Sequence, residues 1–148
     1  EIVLPKPGSN GRVPARELRK FFDMLLEGGE LDGVRLLEQA TVEALTAGHR
    51  IGMMDHTFRF KIDFGLGFMK QSIHYGNLEQ PYGFGQHASS RAYGHGGAES
   101  ALAFADAEHQ LTVAFLFNGM PGDAAHQQRA RSLSEAIYQD LNLAEMKA

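Results

Sequence analysis

Leu18, Phe21, Phe22, Leu25 and Leu26 recur at alternating spacings of three and one, which places them on one helical face, and Gly28-Gly29 ends the run. Pro14 suits the first turn, where its missing N–H costs nothing, so a helix is predicted between Pro14 and Gly28. Asp32-Gly33 marks a turn, Val34 to Leu37 is a short apolar run, and Thr41 to Thr46 predicts a second short helix. From Gly48 to Phe60 neither period is present, so an irregular loop is expected. Phe64 to Met69 predicts a strand in which Gly65 and Gly67 leave one face bare while Leu66 and Phe68 fill the other.

Residues 72 to 92 read as a loop rich in Gly, His and Ser, followed by a glycine-rich turn, Tyr93-Gly94-His95-Gly96-Gly97-Ala98. Ala98 to Ala105 and Leu111 to Phe117 are short apolar strands. The polar run Asp106 to Gln110 between them has hairpin length, so they pair antiparallel. Asp123 is the expected N-cap of a closing helix that buries Ala130, Leu133, Ile137 and Leu141. The predicted order is helix, helix, strand, strand, strand, helix: an α+β fold with antiparallel sheet strands flanked by helices.

Composition narrows the function classes. At 148 residues, 43% hydrophobic and 22% charged, the chain suits one globular domain, and no apolar run reaches the ~18 residues of a membrane span. A net charge of -4 with scattered Lys and Arg gives no basic face for nucleic acid. The lack of cysteine excludes disulfides, thiolate metal sites and a cysteine nucleophile, and leaves the compartment open. The seven histidines show no H-x-H or H-x-x-x-H spacing, so no metal is expected. Gly65-x-Gly67 and Gly83-x-Gly85 lack the third glycine of a dinucleotide fingerprint, so no cofactor is expected either. The opening Glu-Ile-Val-Leu-Pro, without Met, reads as a truncated or processed start.

The chemistry points to residues 93 to 98. Glycines at 94, 96 and 97 remove side chains that keep other molecules off the backbone, so the N–H groups of Gly97 and Ala98 are open to a ligand, as an oxyanion site requires. The alternative is that these glycines only begin a strand at a tight turn.

Several strings resemble the C-terminal half of the serine hydrolases related to class C β-lactamases, penicillin-binding proteins and the esterases that share their fold. Ala15 to Phe22 resembles the family helix A-R-D-L-A-R-F, and Gly28 to Leu37 its G-G-x-L-D-G-x-R-L-L segment. Gly65-Leu66-Gly67-Phe68 is similar to the strand before the third motif, and Tyr93 to Asp106 to F-G-H-x-G-x-x-S-x-x-x-A-D. The resemblance places His95, Gly96 and Gly97 in the third motif, K-T-G or H-x-G, on a strand edging the active site. Ala98 follows as the oxyanion donor and Tyr93 and Gly96 as substrate-binding positions. His in place of Lys removes a permanent cation and turns the expectation toward neutral esters.

The family nucleophile, a Ser with Lys three residues later, is missing: none of the seven serines has that Lys. Tyr75-Gly76-Asn77 spells the second motif, Y-x-N, but out of family order, and is read as a chance match. Residues 1 to 148 are therefore expected to form a single incomplete domain, the C-terminal segment of a β-lactamase-like domain whose N-terminal part carries the nucleophile. The parent is expected to be an esterase-like acyl hydrolase acting on a small ester or amide through a serine acyl-enzyme, this chain alone being inactive. The alternative is a non-catalytic binding module or a self-associating fragment. Because the family pairs N-terminal strands beside the C-terminal one, strand 111 to 117 should have a bare edge and seek the N-terminal portion or a second copy.

Overall fold

The computed structural model describes residues 11–76, 83–97 and 100–144. Helix α1 (Ala15–Leu26) starts after extended Pro14 and stops as the glycine pair demands. The Gly29 amide reaches back to Met24 O at 2.8 Å and the Gly28 amide to Leu25 O at 3.2 Å, with φ of 98° and 67° at Gly29 and Gly28. This double bond is a Schellman cap, a backbone turn that favours glycine. A Cβ on Gly29 would lie 2.0 Å from Leu37 O, so the following chain packs against bare backbone.

Strands β1 (Glu30–Leu31) and β2 (Val34–Arg35) form a hairpin around Asp32 and Gly33, both at positive φ as a type I′ turn requires. Helix α2 (Gln39–Thr46) buries Val42. The segment expected to be irregular contains a second hairpin, β3 (Met54–Asp55) with β4 (Phe60–Lys61). Asp55 organises it by accepting the amides of Thr57 and Phe58 and an ion pair from Arg50 at 2.6 Å.

The main sheet has the antiparallel order β5-β6-β7-β8: β5 (Met69–Lys70), β6 (Ala92–Gly97), β7 (Ala101–Asp106) and β8 (Leu111–Leu116). Two expectations change here. Of the strand predicted over 64 to 69, only the isolated bridges of Phe64 to Arg50 and to Met69, and Met69 itself in β5, remain. The predicted glycine-rich turn is itself strand β6, because Gly94 lets Phe104 of β7 lie across it: a Cβ there would sit 2.5 Å from Phe104 Cβ and 2.3 Å from Ala103 O.

Successive residues of each strand face opposite sides of the sheet. On one side Tyr93, Ala103 and Ala105 meet Phe22, Met24 and Leu25 of α1, the strand alanines leaving room for the helix. Phe21, counted on the buried face, is 44% exposed, and Met24 takes its place. On the other side Ala92, Leu102, Phe104 and Val113 pack on Ile62, Met69, Phe84 and helix α3 (Asp123–Asp140).

The α3 N-cap is Gly122, with Asp123 as the first helical residue. Its buried face is His126, Ala130, Ser134 and Tyr138, whereas Leu133 and Leu141 are exposed and only Ile137 of the other predicted positions packs on the core. Tyr138 is held in that face by a partner across the core: its hydroxyl donates to Asp106 at 2.7 Å.

Candidate active site

The direction of each main-chain group on β6 follows from two hydrogen bonds. Gln71 N donates to Ala92 O at 3.1 Å, so Ala92 faces β5, and in an antiparallel strand Gly94 and Gly96 face the same way. Phe117 N donates to Ser100 O at 2.7 Å, so Ser100 faces β8 while Ala101, Ala103 and Ala105 face β6. Tyr93, His95 and Gly97, their partners, therefore direct amide and carbonyl into the β7 ladder. This corrects the expectation for Gly97, whose N–H faces Ala101 and not a ligand. Among the described residues the freely directed amide is that of Gly96, because β5 pairs with Tyr93 and Gly94 and stops short of it.

His95 is exposed at this open end. Its Nδ1 lies 2.7 Å from Gly96 O. Tyr93, expected to bind substrate, is 4% exposed instead: its ring packs edge-on against Phe68, and burial pushes its hydroxyl pKa up to about 12. Beside it, Lys70 Nζ stands 5.7 Å from the Tyr93 ring and donates to Thr46 O at 2.9 Å. Desolvation and then the charge of Arg91 lower the Lys70 pKa, the nearby Asp63 opposing them. Ala98 lies outside the described residues, as does Asn77 of Tyr75-Gly76-Asn77. Tyr75 donates to Asp63 Oδ1 at 2.9 Å.

Two serines spend their hydroxyls elsewhere: Ser72 on Lys70 O and Ser89 on Asp106 Oδ1, while Ser134 is fully buried against Gly85. None of three clefts of about 290, 470 and 260 Å³ is lined by His95, Gly96 or Gly97. Among the described residues no three His, Asp or Glu side chains gather to hold a metal.

A buried hub escaped the sequence reading. Asp106, 0% exposed, accepts Ser89 Oγ at 2.5 Å, Ser89 N and His109 Nδ1 at 2.8 Å and Tyr138 Oη at 2.7 Å. Burial raises its pKa, but the Ser89, His109 and Tyr138 bonds outweigh it and hold the carboxyl below its usual range. The only local signal was the Asp-x-x-His spacing of Asp106 and His109.

An antiparallel sheet between helices, with a His-Gly-Gly strand left half uncovered, is the sheet side of the β-lactamase-like serine hydrolases. The family model described as Beta-lactamase matches residues 2–137, and the chain belongs to that family. It is 31% identical over 105 residues to the Esterase/beta-lactamase LipL of Mycobacterium tuberculosis (strain ATCC 25618 / H37Rv), covering 71% of this chain and 24% of that protein. Among solved structures, a penicillin-binding protein homolog from Caulobacter crescentus superposes with TM-score 0.57 at 27% identity, over 80% of this chain and 30% of that one. A beta-lactamase from Mycobacterium bovis shares the fold with TM-score 0.62 at 20% identity, over 84% of this chain and 43% of that one. The chain thus spans less than half the length of each of these relatives.

Proposed function

We propose that the chain forms the sheet-side wall of the acyl-transfer site in an esterase-like serine hydrolase, whose attacking serine lies on polypeptide outside this sequence. The supporting observation is that the Gly96 amide faces away from the β7 ladder and, among the described residues, β5 leaves it uncovered. By resemblance the Ala98 amide donates to the oxyanion beside it. A donor fixed on a sheet needs no reorganisation as charge develops on the carbonyl oxygen, and such a donor is worth about 3–4 kcal/mol of barrier. The substrate is a small ester or amide and the intermediate a serine acyl-enzyme.

The test is fluorophosphonate labelling with p-nitrophenyl ester hydrolysis. The full-length gene product should be labelled and active, and the 148-residue chain neither. Labelling of the chain itself would overturn this placement of the nucleophile.

The β8 edge supports a second reading, association through strand pairing. In the register with β7, Thr112, Ala114 and Leu116 direct their amides to the side on which the described sheet ends. The partner is the N-terminal portion of the same protein or a second copy.

A further inference from the structure

An open strand edge offers an approaching extended group alternate donors and acceptors. At the end of β6 these are the N–H and C=O of Gly96, and the acceptor is already engaged by His95 Nδ1 at 2.7 Å. A carbonyl oxygen only accepts, so the ring nitrogen donates and Nδ1 carries the proton. The side chain is anchored to the strand it projects from and stands over the carbonyl that an incoming N–H would seek.

We propose that His95 is a specificity-determining residue: by occupying one lone pair of the Gly96 carbonyl and crowding the other, it weakens the acceptor of this edge and favours acyl groups that present an oxygen there over those that present an N–H. The inference rests on the acyl-hydrolase reading above. An acyl oxygen accepts from the Gly96 amide and asks nothing of the carbonyl. An acyl N–H must displace the imidazole or share the oxygen with it through the second lone pair, in a crowded two-donor arrangement that makes the weaker bond.

The test uses the full-length gene product and two p-nitrophenyl esters that differ at one atom, of N-acetylglycine and of acetoxyacetic acid. The scissile bond and leaving group are the same, so the ratio of their kcat/KM values isolates the N–H. His95→Ala should raise the N–H/oxygen ratio by about three- to tenfold, the factor one neutral hydrogen bond carries. His95→Asn, whose Nδ2 can donate from the position of Nδ1, should return the ratio toward the native value. Imidazole 15N shifts should show the Nδ1–H tautomer for His95 in the native protein. Turnover of both esters with a ratio unmoved by His95→Ala overturns this inference alone, as does an Nε2–H tautomer. Hydrolysis of neither ester by the native protein overturns the acyl-hydrolase reading and this inference with it.

Discussion

Replacing Asp106 by alanine removes a carboxylate that no solvent reaches and that three chain segments use at once. The Ser89 amide and hydroxyl, the His109 ring and the Tyr138 hydroxyl lose their acceptor together, and the Tyr138 side chain is 0% exposed, so its hydroxyl has no ready route to solvent. Each stranded group costs about 1–3 kcal/mol, while removing the carboxylate also relieves its own desolvation, so the net loss is set at about 3–5 kcal/mol, as for a broken buried pair. Against a total stability of about 5–15 kcal/mol this is a large fraction. With a urea slope of roughly 2 kcal/mol/M, the midpoint should fall by about 2 M. Asp106→Asn keeps an acceptor for Tyr138 and should lose about half as much.

The pH dependence has a definite sign. The native pKa of Asp106 lies below the unfolded value, so the unfolded chain takes up its proton first and acid favours unfolding. The contribution of Asp106 should be complete above the unfolded carboxylate range, about pH 4–5, and vanish as pH falls through the native pKa. A midpoint shift under about 0.5 M for Asp106→Ala, or equal acid sensitivity of Asp106→Asn and native protein, would refute the hub argument.

Two further outcomes follow from the sheet. Gly94→Ala places a methyl 2.3 Å from Ala103 O and 2.5 Å from Phe104 Cβ, and since backbone cannot yield as a side chain can, it should cost about 2–3 kcal/mol by thermal or urea unfolding; a loss under 1 kcal/mol would mean that β6 and β7 separate easily. Leu116→Pro removes an amide directed to the open side of β8 and spares the β7 ladder, so stability should change by less than about 1 kcal/mol while any self-association in sedimentation disappears. A native chain that sediments as a clean monomer counts against association through that edge.

What the sequence disclosed and what it hid have physical causes. Helix α1 was legible because its apolar spacing and glycine stop are local, and the β7/β8 hairpin because two apolar runs flank a polar turn. The buried face of α3 was hidden: Tyr138 is accepted into the core through a bond to Asp106, a residue 32 positions away that hydrophobic periodicity cannot see. Ser134 is buried where Gly85 packs against it, so close that a Cβ on Gly85 would lie 3.3 Å from Ser134 Cβ. The resemblance placed His95, Gly96 and Gly97 on a strand, and they lie on β6, but Gly97 directs its amide into the β7 ladder and not outward as expected. Which of two neighbouring amides faces outward is fixed by the pairing of residue 92 with 71, a matter of register and not of composition.

The extent of β5 governs the site more than the glycines do. Its last partner on β6 is Gly94, and the residue that would stand opposite Gly96 in the same register, Gly67, has φ 84° and leads the chain aside. Two more residues of straight backbone would seal the aperture with an ordinary rung. A strand cut short thus works as a sill, and a change of loop length just before Met69, with every His and Gly of the motif intact, would be enough to open or close the window onto the Gly96 amide.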